Sequence, residues 1–182
     1  RQQNHLAGYV SESQLALAQL SLAQQKPQDA ERYVRSALQE FVQAHSRQWE
    51  PLARAVLSSA LLMQGQRESA QQQQQLAEEL LPTLQNVPLR LQTLALLAGL
   101  SVKTSVPNKQ NPKQIQDKLV EGIRQARQSG LFAEEFNLLA TLSSYYSKRA
   151  QPADPWVIER FAELAQISQA NDIQAGHPFL AK

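Results

Sequence analysis

Residues 52–81, LARAVLSSALLMQGQRESAQQQQQLAEELL, read as two antiparallel helices joined at Gly65. Leu52, Val56, Leu57, Ala60 and Leu61 fall at the three- and four-residue spacings that collect on one face of a 3.6-residue helix, and Ala70, Leu76, Ala77, Leu80 and Leu81 repeat this in the second half. The neighbouring segments are variations on this hairpin.

Toward the N-terminus, a helix is predicted over Ser11–Gln25, with Ser11 or Ser13 as cap and Leu15, Leu17, Ala18, Leu20 and Leu22 as apolar surface. Residues 1–10 read as a frayed end or the tail of a preceding helix. Pro27 ends this helix, and a second runs from Asp29 to Ala44 with Ala30, Val34, Ala37, Leu38 and Phe41 on one stripe. Pro51 suits the first turn of the helix after it, where its missing N–H would have been unpaired anyway. Toward the C-terminus, Leu89, Leu91, Leu94, Leu96, Leu97 and Leu100 leave little polar surface on a helix Leu89–Lys103, predicted to be the most enclosed. Thr104–Gln110 is the best loop, and Asn111-Pro112-Lys113-Gln114 restarts a helix with Ile115, Leu119, Ile123 and Ala126, ended by Ser129-Gly130. Helices Phe132–Arg149 and Asp154–Ala170 come next, the last with Ile158, Phe161, Ala162, Leu164 and Ala165, then an irregular tail over 171–182.

The chain of 182 residues is long enough for one domain with a sizeable core, and with only 6 Gly and 9 Pro its Leu, Ala and Gln favour an all-α class. A formal charge of +2 on 18 basic and 16 acidic residues gives no strong field for nucleic acid or an anionic membrane. The absence of cysteine excludes disulfides and thiolate chemistry and fits either redox compartment, the cytoplasm being favoured. No apolar run reaches the roughly 20 residues of a membrane-spanning helix. The start at Arg1, almost directly in helical pattern, suggests a piece of a longer protein.

A small-large-small spacing recurs on the second helix of each predicted pair: Ala30, Val34, Ala37; Ala70, Gln74, Ala77; Ile115, Leu119, Gly122; Ile158, Ala162, Ala165. The first members stand 40, 45 and 43 residues apart, a solenoid-like period. Together with Leu57-Ser58, Leu61 and Gly65, with Leu17-Ala18 and Ser21, with Leu94-Ala95 and Ala98, and with Leu139-Ala140 and Ser143, the pattern resembles the tetratricopeptide repeat over about residues 11–168. It departs from that family in a period longer than about 34 residues, in Gln74 where a large apolar residue is usual, and in mostly empty aromatic positions. Similar degenerate repeats occur C-terminal to regulatory domains of bacterial proteins.

The resemblance implies a right-handed α-solenoid of about four helical hairpins, a single domain over 1–182 with repeats at about 11–45, 48–84, 88–129 and 131–170. It also implies a concave face lined by the first helix of each hairpin, presenting Glu12 and Gln19, Ser59 and Met63, Gln92, and Asn137, Thr141 and Tyr145 to a protein or peptide. Two other readings stay open: self-association, as a homodimer, through Leu89–Leu100 and the end helices, and a small-ligand sensor. His5, His45 and His177 lie apart, with no metal-ligand spacing, and no phosphate loop, HExxH or nucleophile elbow is present, so no cofactor and no enzyme activity are expected. Glu78-Glu79 and Glu134-Glu135 diverge by about 100° and read as solvated faces, as does Gln71–Gln75. Six basic and two acidic residues between Lys103 and Arg127 scatter around their helix rather than forming a nucleic-acid patch. Tyr145, Tyr146, Trp49 and Trp156 read as packing residues.

Overall fold

The computed structural model describes residues 2–44, 47–104 and 112–174, and every regular element among them is helical, so the chain is all-α. These residues form α1 (Gln2–Ala23), α2 (Pro27–Gln43), α3 (Glu50–Met63), α4 (Arg67–Leu80), α5 (Val87–Thr104), α6 (Pro112–Gln128), α7 (Phe132–Lys148) and α8 (Pro155–Gln174), with a 3₁₀ turn, Leu81–Thr83, after α4. Where one domain over 1–182 is predicted, contacts gather in two compact units, Arg1–Lys109 and Gln110–Lys182. The division falls in the breaker-rich interval after α5, of which residues 105–111, including the predicted cap Asn111, lie outside the described residues. The third predicted hairpin therefore has its two helices in different units, and α6 packs instead against α7.

Four helix ends share one backbone device. Gln25, Gly65, Gly130 and Ala150 have φ of 60°, 79°, 67° and 52°. The residue after each donates its N–H to the carbonyl five positions earlier: Lys26 to Ser21, Gln66 to Leu61, Leu131 to Ala126 and Gln151 to Tyr146, at 2.9–3.1 Å. This satisfies carbonyls the ending helix leaves unpaired and turns the chain back on itself. Two of the four positions carry Gly, which takes this conformation without strain.

In the first unit α1 begins at Gln2 rather than near Ser11. Ser11 is no cap: it is buried in mid-helix, and the Ser13 hydroxyl donates to the Tyr9 carbonyl at 2.8 Å. Pro27 opens α2 rather than only closing α1, since a first-turn proline lacks only an N–H that has no helical partner. Asn86 caps α5 by accepting from the Leu89 N–H at 3.1 Å. The most enclosed helix is α3, not leucine-rich α5. It packs against α1, α2, α4 and α5, and Pro51, Leu52, Ala53, Ala55, Val56, Leu57, Ser58, Ala60 and Leu61 are buried. The reason is size, because the short side chains spread around α3 let helices approach from several sides.

Ser58 makes the α3–α4 crossing: its buried hydroxyl donates to the Ala70 carbonyl at 2.7 Å. Beside it Arg54 bridges Glu50 of its own helix and Gln73 of α4. Gln74 is the exception in the glutamine run. It is buried and donates to Glu78 at 2.9 Å and to Ser101 of α5 at 3.0 Å. At the α2–α3 contact Glu31 accepts from Arg35 at 2.8 Å and from Gln64 at 2.6 Å, which together hold its carboxyl below the usual range.

The second unit is held by polar pins as well as by Leu119, Ile123, Ala126, Leu138, Leu139, Leu142, Val157 and Leu164. Glu135, predicted to be solvated, is fully buried and takes a bidentate contact from Arg160 of α8 at 2.6 and 2.9 Å; Arg160 also reaches Glu163 at 2.6 Å. Tyr146 donates its hydroxyl to Asp154 at 2.8 Å and accepts from Gln116 of α6 at 2.9 Å. Burial first, and Asp154 second, push its phenol up to about 12. On α8 Leu164, which is among the predicted residues, and Val157, which is not, are buried, whereas the predicted Ile158, Ala162 and Ala165 are exposed, so the stripe lies about one residue from the predicted Ile158, Ala162, Ala165 spacing. One residue is a rotation of about 100°.

These contacts set three expected outcomes. Ala70→Leu overpacks the crossing and costs about 1–3 kcal/mol in denaturant unfolding, whereas Ala165→Leu, at the equivalent spacing on an open face, changes stability by less than about 0.5 kcal/mol. Ala150→Gly removes left-handed strain and raises stability by about 1 kcal/mol. The Tyr146 phenol sits above its unfolded value of about 10, so its contribution is complete below that pH and is lost as pH rises toward 12. Melting temperature should fall more steeply from pH 9 to 12 in the parent than in Tyr146→Phe.

Candidate interaction surface

The predicted surface residues divide between the units. In the first, Glu12 and Gln19 lie two turns apart on one side of α1 and are half-buried. Ser59 and Met63 lie one turn apart on the C-terminal half of α3, and Gln92 is half-buried on α5. Of these three helices, α3 packs against both α1 and α5, and also against α2 and α4. Met63 is 40% exposed, and Leu62 beside it and Leu96 of α5 are partly buried against the same two core clusters. The Ser59 hydroxyl donates within its own helix, to Ala55 at 3.0 Å. Among these side chains are the amides of Gln19 and Gln92, the Glu12 carboxylate and the adaptable Met63 thioether.

One residue of α5 was not singled out from sequence. Gln92, Leu96, Gly99 and Lys103 succeed one another at spacings of four, three and four along the less buried side of α5. A Cβ placed on Gly99 would meet nothing within 4 Å. Packing does not require glycine there, although glycine inside a helix costs roughly 1 kcal/mol relative to alanine. The sequence signal was present, since Gly99 interrupts the Leu- and Ala-rich stretch 94–100.

In the second unit Asn137 is exposed and accepts at its carbonyl from Thr141 at 2.9 Å. Tyr145 is a correction: it is 6% exposed, edge-on to Tyr146 at 6.0 Å, with the Arg149 guanidinium 4.9 Å from its ring centre. Its place at Leu138, Leu142 plus three puts it on the packed stripe, so it offers no open ring to a partner. Trp49 stacks on Phe41 at 6.1 Å, and Trp156 is 37% exposed.

His45 lies outside the described residues, as does His177, and nothing is described of the His5 side chain. Among the described residues no group of three His, Asp or Glu could hold a metal ion, and no helix is long and apolar enough to cross a membrane. On α6, Lys113, Lys118, Arg124 and Arg127 are exposed, and Arg124 pairs with Glu121 at 2.6 Å. Compared with known proteins, the chain matches no family model, no curated protein and no solved structure.

Proposed function

We propose that the chain is a protein-interaction module, part of a larger regulatory protein, that holds a peptide or a partner domain along α1, α3 and α5. The observation that supports this is the packing of α3 against both α1 and α5, with Glu12, Gln19, Ser59, Met63 and Gln92 on those helices each half-buried or exposed rather than buried. In a tetratricopeptide-like solenoid the first helices of successive hairpins form a row, and the hairpin turns at Gln25 and Gly65 support that reading for the first unit. Gly99 adds a place where a partner backbone can approach α5 closely. Asn137 and Thr141 remain contacts of the second unit; Tyr145 does not.

A second reading, self-association, is favoured by one feature. Tyr9, Val10, Leu17 and Leu20 are 67%, 56%, 43% and 53% exposed, on the side of α1 opposite its buried Ser11, Leu15 and Ala18. Light scattering separates the two, since a dimer that becomes monomeric on Leu17→Glu/Leu20→Glu replacement supports self-association.

For the first reading, an array of short peptides probed with the purified chain should give spots that disappear with Met63→Glu/Gln92→Glu and with Gly99→Trp. They should persist with Gln39→Glu on exposed α2. Gly99→Ala should raise stability by about 1 kcal/mol, showing that the glycine is not kept for folding. Spots equally weakened by Gln39→Glu, or no spots at all, would refute the α1–α3–α5 surface.

A further inference from the structure

The second unit carries an apolar face of a different kind. Glu135 lies opposite Arg160, Tyr146 opposite Asp154, and Phe136 meets Phe161 edge-on with ring centres 5.2 Å apart, so α7 and α8 run antiparallel in a fixed register. Phe132 is one turn before Phe136 on the same side of α7, and Ile158, Ala162 and Ala165 share the side of α8 that carries Phe161. Phe132, Phe136 and Ile158 are 52%, 45% and 61% exposed. Single exposed apolar residues are ordinary; a run across two adjacent helices marks a contact surface.

We propose that this strip is a docking face for one amphipathic helix that carries Lys or Arg along one edge. Two observations fix the occupant. First, Ile158, Ala162 and Ala165 repeat the spacing of Ala30, Val34, Ala37 on α2 and of Ala70, Gln74, Ala77 on α4. Those two sets are buried by neighbouring helices, α1 and α3 in the one case, α3 and α5 in the other. On α8 the same spacing is exposed instead, and the main helix contact of α8 is with α7. The spacing therefore suits a helix with large aliphatic side chains laid over short ones.

Second, the outer edge of the strip is acidic. Glu159 and Glu163 are exposed one turn apart on α8, while Arg160 between them is 12% exposed and engaged with Glu135 and Glu163. A helix lying there meets carboxylates along one side, so a basic edge complements it and an acidic edge is repelled. The face belongs to the second unit and does not depend on the α1–α3–α5 surface.

The test titrates the full chain into two fluorescein-labelled 18-residue helical peptides of Leu and Ala, one edged with Lys and one with Glu, monitored by anisotropy. The Lys-edged peptide should bind at least tenfold more tightly than the Glu-edged one, and at least tenfold more weakly to Ile158→Glu, whose thermal melt matches the parent. Ala162→Glu serves the same purpose if Ile158→Glu fails to fold. Equal binding of the two peptides, no binding of either, or binding unaffected by the variants overturns the proposal. So does light scattering that shows a parent dimer made monomeric by Ile158→Glu, which would seat a second copy on the strip. Peptide binding that emerges only after removal of residues 175–182 would give it to the chain's own tail. None of these results bears on the peptide array, which reads α3 and α5.

Discussion

Short side chains at the helix crossings are what allow α3 to be surrounded. Helix axes 8–10 Å apart leave no room for long side chains at the point of closest approach, and Ala53, Ala55, Ser58 and Ala60 of α3 are all buried there. Ala18, Ala30, Ala37, Ala70 and Ala77 do the same on the helices around it. Between these points Leu15, Val34, Phe41, Leu52, Val56, Leu57 and Leu61 fill the core. Ser58 is polar at such a crossing, and its hydroxyl is satisfied by its bond to the Ala70 carbonyl.

The orientation of neighbouring helices rests on local backbone chemistry. The same left-handed residue and the same hydrogen bond to the carbonyl five positions earlier reverse the chain after α1, α3, α6 and α7. In the first three reversals a single residue, Lys26, Gln66 or Leu131, separates the left-handed position from the next helix. After α7 the return is longer, and Asp154 closes it by binding Tyr146 through its side chain and the Val157 N–H through its carbonyl.

Much of this was legible in the sequence, and the failures have physical causes. Gly65 and Gly130 announced their turns; Gln25 and Ala150 did not, because nothing in a glutamine or alanine marks a left-handed residue. The stripe of α2 was legible because one face of that helix is apolar and the other charged. On α8 two apolar stripes lie side by side, Val157 and Leu164 against Ile158 and Ala165, and periodicity cannot say which faces inward. Glu135 was misread because a carboxylate usually marks a wet face, yet its spacing from Leu138, Leu139 and Leu142 places it on the packed one. Its partner Arg160 is 25 residues away, beyond any local pattern. Of the surface residues, Glu12, Gln19, Ser59, Met63 and Gln92 came from register, whereas the burial of Tyr145 and the empty space at Gly99 are tertiary facts.

That ambiguity on α8 gives the buried ion pair its role. Rotating α8 by about 100° would bury Ile158 and Ala165 in place of Val157 and Leu164, an exchange of one apolar set for another that loses two buried carbons, about 1.6 kcal/mol at about 0.8 kcal/mol per CH2. The same rotation would carry Arg160 away from Glu135, leaving a carboxylate with no solvent access uncompensated, at a cost of about 3–5 kcal/mol. A buried pair of this kind adds little net stability compared with an apolar replacement, but it is directional, and the bidentate geometry tolerates one rotation of the helix. The polar contact therefore contributes the larger part of the preference for which of two apolar stripes is turned inward. The stripe left outside, bordered by Glu159 and Glu163, is a consequence of that preference.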